Sequence, residues 1–151
     1  MRKPPKWFLK PAVFAIHERL LAEHGGPPGL LDEGMLDAAL ASPRNHFAYQ
    51  HADILRLAAA YACALTQNHP FADGNKRVAL TVAGVFMELN GFRLEASEQD
   101  AADATRALSS REIDEVGFAN WLRTCASQLH VTSRRTVAKA TTRRRKKTKK
   151  E

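Results

Sequence analysis

Residues 69–77 gather most of the chemically capable side chains of this sequence into one short run: His69, Pro70, Phe71, Ala72, Asp73, Gly74, Asn75, Lys76 and Arg77. Gly74 permits a positive φ, the conformation in which successive backbone N–H groups turn inward as an anion-binding nest. Asn75 opens a helix-like segment, and the free N–H groups and dipole at such an end favour a phosphate. Lys76 and Arg77 place cations in the first turn of that helix, where they oppose the dipole; an anionic ligand would explain them. Asp73 is a hard oxygen donor of the kind Mg²⁺ takes alongside phosphate oxygens and water. Histidine is the side-chain type suited to accept a proton near neutrality, which makes His69 the candidate base. Phe71 is expected to pack inward and anchor the loop. Taken singly, each residue has a bland explanation: a cap, a turn, a solvated pair. Their concentration in nine residues points to a magnesium-dependent site that uses a nucleotide.

The elements that position this run are two strongly apolar segments. Asp53 can cap a helix over 54–67, and a second follows over 75–90 through Val78, Leu80, Val82, Val85, Phe86 and Leu89. Helices apolar on most faces belong at the centre of a bundle, and a short connection makes them antiparallel neighbours. Around them the pattern predicts four further helices. One runs from Pro11 to about His24 with Val13, Ile16, Leu20 and Leu21 at helical spacing. A short one follows Asp32, with Met35, Leu36, Ala39 and Leu40, and stops at Ser42-Pro43. A third is opened by Ser97 and Asp100 and reaches about Leu108. The last is capped by Asp114, with Phe118, Trp121, Leu122, Cys125 and Leu129 on its buried stripe. Residues 43–52 are expected to form a hairpin or irregular flap, and the only other strand candidate lies around Phe92 to Leu94. The fold class is all-α.

Composition bounds the rest. The chain has 151 residues and a formal charge of +7, but residues 131–151 hold ten Lys and Arg against one Glu. The first 130 residues are therefore mildly acidic, with 13 basic against 15 acidic side chains. This divides the chain into a folded domain over 1–130 and a basic tail over 131–151 that should be disordered. The tail reads as a solvated extension, or as a non-specific nucleic-acid contact. The two cysteines, Cys63 and Cys125, have neither metal-site spacing nor disulfide density, and read as buried free thiols suited to a reducing cytoplasm. The N-terminus resembles an export signal only superficially, since Lys10, Pro11, His17 and Glu18 interrupt it. No stretch approaches the roughly 20 apolar residues of a membrane span.

The run His-x-Phe-x-Asp-Gly-Asn-x-Arg closely resembles the core motif of the Fic/Doc family, and the Lys before the Arg resembles its death-on-curing branch. Ile16-His17-Glu18, Gly25-Gly26, Gly29-Leu30-Leu31-Asp32, the segment from Leu36 to Pro43 and Phe86-Met87-Glu88-Leu89-Asn90-Gly91 fall where that branch has similar residues. The resemblance implies a Fic/Doc-type helical bundle that transfers part of ATP to a hydroxyl of a target protein. His69 would be the base, Asp73 the Mg²⁺ ligand, Gly74 and Asn75 the anion hole, and Arg77 a phosphate contact. The 43–52 segment would hold the target chain.

Lys76 stands where the commoner Fic pattern has a second Gly, and Leu80 where that pattern has a second Arg. A bulky cation in the deeper phosphate pocket disfavours adenylyl transfer (AMPylation) and favours the orientation associated with the death-on-curing branch. That branch phosphorylates elongation factor Tu and so arrests translation. Gly74 cuts the other way, because the branch often has Ala there. Many Fic proteins also carry an inhibitory helix with Ser/Thr-x-x-x-Glu; no Glu in this chain has Ser or Thr four residues before it. The expected brake is a separate antitoxin. The rival from another class is a nucleic-acid-binding protein with an inactive Fic-like scaffold.

Overall fold

Asp53 accepts a hydrogen bond from the Arg56 amide at 2.9 Å and so opens helix α3 (Ile54–Asn68), one of the two apolar segments. Its partner α4 (Asn75–Leu89) follows after six residues. The computed structural model describes residues 3–129. The 131–151 tail, with both readings of it, lies outside them. α3 and α4 pack along each other, and Leu57, Tyr61, Leu65, Val78, Val82 and Phe86 lose all exposure to water. Around this pair stand α1 (Lys10–His24), α2 (Glu33–Gln50), α5 (Glu98–Ser109) and α6 (Glu115–Cys125). The caps foreseen at Asp32, Ser97 and Asp114 form, accepting from the amides of Met35, Asp100 and Gly117 at 3.1, 3.1 and 2.7 Å.

Ahead of α1, Phe8 belongs to the core and Trp7 packs against it. Trp7 stacks on Phe86 and meets Phe47 edge-on, at centroid distances of 6.4 and 5.8 Å. The Phe8 amide donates to the buried Tyr61 hydroxyl at 3.0 Å, and burial pushes the Tyr61 phenol up from its usual range.

Two boundaries differ from the pattern. The flap expected over 43–52 does not form, because α2 continues through Pro43 to Gln50. Proline there removes one backbone hydrogen bond, but the turns beyond it are held by packing. Pro43 is buried, Arg44 lies 5.0 Å over the Trp7 ring, and His46 meets Glu115 at 3.0 Å. The last helix is also shorter than expected. It ends at Cys125, and β2 (Ala126–Gln128) pairs antiparallel with β1 (Phe92–Leu94), so Leu129 belongs to no helical stripe. Its amide instead donates to the Gly91 carbonyl at 2.8 Å. Apart from this ribbon the described fold is helical. Cys63 and Cys125 are free but only partly buried, and burial raises both thiols above their usual range. No helix among the described residues is long and apolar enough to cross a membrane.

Glu115 ties three helices together. Its carboxylate accepts from Arg56 Nε and Nη2 at 3.1 and 2.9 Å and faces His46, and all three side chains are less than a third exposed. Glu115→Ala would leave the Arg56 guanidinium partly desolvated without its partner. It should lower the stability by about 1–3 kcal/mol, seen as a lower denaturant midpoint with an unchanged slope.

Candidate functional site

α3 stops where it does because His69 adopts the left-handed conformation, φ 49° and ψ 55°, and Pro70 follows it. Gly74 takes the second left-handed position, φ 82°, and serves as the N-cap of α4 without a side-chain cap bond. Between them the loop is closed on itself by one side chain. The Asn75 carboxamide accepts from the Phe71 amide at 3.0 Å and donates to the Phe71 carbonyl at 2.9 Å, and Asn75 is 4% exposed. Phe71, 1% exposed, is the buried anchor.

Two neighbours brace this loop from outside. His17 of α1 is buried, its ring stacked on Phe71 at 3.9 Å with an interplanar angle of 16°. Its Nε2 lies 3.0 Å from the Asp73 carbonyl oxygen. A carbonyl only accepts, so Nε2 carries the hydrogen. On the other side residues 29–32 run extended beside the loop, with a bridge between Leu30 and Phe71. The Leu31 amide donates to the Pro70 carbonyl at 2.8 Å, and the Ala72 amide to the Gly29 carbonyl at 3.0 Å. The extended segment alongside the motif is therefore this one, in place of the 43–52 flap. Gly26, with φ 112°, lies so close to Asp73 that a Cβ there would collide with the carboxylate Oδ2. A side chain there would have to displace the Asp73 carboxylate, and the positive φ itself favours glycine.

The outer surface of the loop opens into a cleft of about 610 Å³, within the range of small-molecule sites. His69, Asp73, Gly74, Asn75, Lys76 and Arg77 line one wall. The structure thus brings together every residue the sequence singled out except Phe71, which supports them from behind. Asn75 has a narrower part than expected: its side chain is committed to Phe71, so its backbone N–H at the start of α4 is what it can offer an anion. His69, Asp73, Lys76 and Arg77 are exposed. Among the described residues neither Lys76 nor Arg77 has an ion-pair partner, and no three His, Cys, Asp or Glu side chains cluster as a metal cage.

Other elements complete the cleft. Thr66 comes from α3, Leu80 from α4, and Ala102, Asp103, Thr105, Arg106 and Ser109 from α5. Sequence reasoning missed this second wall. Arg106 reads as an ordinary cation in the last turn of a helix, and nothing in the spacing says which way α5 faces. It missed the brace as well. His17 lies in a segment with a family resemblance, but no pattern couples it to a loop 56 residues away.

The chain is similar to known proteins over the segment that holds this loop. The model of the Fic/DOC family matches residues 7–87, which include the whole motif loop and α4 to Met87. The match ends before α5. Protein kinase doc of Escherichia phage P1 is 32% identical over 112 residues, covering 74% of this chain and 88% of that protein. Toxin Doc of Mycolicibacterium smegmatis (strain ATCC 700084 / mc(2)155) is 34% identical over 94 residues, covering 60% and 72%.

The clamp can be tested by stability alone. Asn75→Ala would strip partners from two buried backbone groups and should cost about 2–4 kcal/mol. His17→Phe would keep the stack on Phe71 but lose the bond to Asp73, and should cost about 1 kcal/mol. Chemical denaturation of each variant checks both magnitudes and their order.

Proposed function

The chain belongs to the Fic/Doc family, and on that premise we propose that it is a toxin that transfers a phosphate from Mg-ATP to a hydroxyl of a target protein. The observation that carries the choice of phosphate is Lys76, in the first turn of α4 and lining the cleft beside Gly74 and Asn75. A side chain with a Cβ and a long cation occupies the ground where a bare backbone would admit the deeper phosphates of the adenylyl-transfer orientation. The same residue can neutralise a phosphate in the reversed orientation, which presents the terminal phosphoryl group to His69.

In this reading the target hydroxyl enters beside His69, whose ring accepts its proton as the new oxygen–phosphorus bond forms. The bond from that phosphorus to the ADP oxygen breaks, and ADP leaves. Arg77 and Lys76 hold the phosphates, and the uncapped N–H groups at the start of α4 face the same charge. Magnesium fits the donor set: an exposed Asp73 carboxylate without a surrounding protein cage suits an ion that completes its shell with phosphate and water. When bound it would neutralise phosphate charge. Most of the acceleration then comes from positioning and charge neutralisation, with the base contributing less.

The proposed target is elongation factor Tu, whose modification would arrest translation in the cytoplasm, and the proposed brake is a separate antitoxin chain. Support for a toxin is the similarity to Toxin Doc and Protein kinase doc. AMP transfer is the competing reading, favoured by Gly74, the residue of the commoner Fic pattern.

Purified protein, Mg²⁺ and elongation factor Tu incubated with ATP labelled at either the γ- or the α-phosphate separate the two. Label on the target from the γ-position alone is expected, and label from the α-position alone would sink the phosphotransfer reading. His69→Ala should slow labelling at least about a hundredfold. Lys76→Gly should admit label from the α-position if Lys76 sets the orientation.

A further inference from the structure

The second wall of the cleft carries a charge that the proposed reaction leaves unassigned. α5 turns Ala102, Asp103, Thr105, Arg106 and Ser109 toward the cleft, a spacing of three and four residues that defines one helical face. The face beside it is anchored by the buried Ala101 and Leu108, which flank Thr105. Its C-terminal turn is fixed to the end of α3: Gln67 Nε2 donates to the Leu108 carbonyl at 3.0 Å, and Gln67 Oε1 accepts from Arg111 Nε at 2.8 Å. Gln67 stands two residues before His69. The last turn of α5, which bears Arg106 and Ser109, is thereby held to the end of α3 from which His69 follows.

Arg106 is weakly engaged where it stands. Its ion-pair partner is Asp103 Oδ1 at 3.8 Å, beyond hydrogen-bonding distance, with the two side chains 60% and 52% exposed. Such a pair contributes little and is readily exchanged. A cation in the last turn of a helix also complements the helix dipole, but that benefit is indifferent to which face bears it. Here it faces the cleft that Lys76 and Arg77 also line. Leu80, on the adjoining wall, offers no donor.

We propose that Arg106 is a phosphate-binding residue, supplied by α5 from across the cleft and released from Asp103 when a nucleoside triphosphate enters. The assignment rests on the reading of the cleft as an ATP site. The guanidinium fork can donate to two phosphate oxygens at once. With Lys76 and Arg77 it would give the cleft cationic donors on both walls, so that the phosphate chain is gripped rather than merely attracted. Asp103 acts as a placeholder that keeps the fork inside the cleft between turnovers.

Calorimetric titration of the full chain with Mg-ATP and with adenosine, at low and moderate salt, tests this. Arg106→Gln should weaken Mg-ATP about tenfold, flatten the salt dependence and leave adenosine unchanged. Arg106→Lys should recover part of the loss, since charge returns without the fork. Asp103→Asn should bind Mg-ATP at least as tightly as the wild type. Wild-type affinity in Arg106→Gln, with only a lowered melting temperature, would assign the residue to the helix end and overturn the proposal. So would an equal loss for adenosine, which would mean a distorted cleft. If the wild-type chain itself binds no Mg-ATP, the nucleotide reading falls, and this assignment with it.

Discussion

A connection of six residues between two helices that are buried on most faces cannot choose its path freely, and the Asn75 carboxamide selects one path. By satisfying both backbone groups of Phe71 it closes the loop into a ring whose inner side is core and whose outer side is cleft. Everything else at the site hangs on that closure. Phe71 becomes the floor against which His17 stacks, and Asp73 is held through its carbonyl by the same histidine. Residues 29–32 lie flat against the loop because the Pro70 carbonyl and the Ala72 amide point outward to meet them. The α4 amides and the Asp73 backbone are thus set in place by the fold itself, the condition under which fixed dipoles are most useful to a developing charge.

The same closure forces local costs. His69 is a non-glycine residue at positive φ, Gly74 sits in the left-handed region, and α4 begins with two cations and no side-chain cap. None of these helps the helix. They persist because α3 and α4 are locked by packing along their length, with Tyr61 and Phe86 at 4.9 Å and Trp7 stacked beyond them. The stability of the bundle offsets a strained, cation-rich connection, and a segment that breaks local rules inside a well-packed frame is where function is expected.

This distribution explains what the sequence makes legible. The central helices are read from composition alone, and Asp32, Ser97 and Asp114 declare three caps because a cap acts within a single turn. The motif is legible because its residues are contiguous. Pro43 misleads because its effect is also local while the forces overriding it are not: Trp7 and Glu115 reach Phe47 and His46 of α2 from 36 residues before Pro43 and 72 after it. β2 is hidden for the same reason, since three residues at the end of a helix become a strand only where β1 waits to pair with them. His17 and the α5 wall are likewise products of assembly, invisible to any pattern along the chain.

The two walls of the cleft differ in how they are held, and the difference divides their work. The motif wall is tied by backbone contacts to 29–32, by His17 and by the Asn75 ring, so a change in any of these alters the position of Asp73 or of the α4 amides. The α5 wall is joined through buried Ala101, Thr105 and Leu108 and through Gln67 at one end, while the residues facing the cleft have little structural duty of their own. Thr105 even spends its hydroxyl inside its own helix, on the Ala101 carbonyl. A substitution at Ala102, Asp103, Arg106 or Ser109 can therefore change what the cleft admits without moving the groups that would do the chemistry. The motif wall has to keep one geometry, whereas the opposite wall is free to vary, so what the cleft admits is more easily tuned from α5 than from the motif.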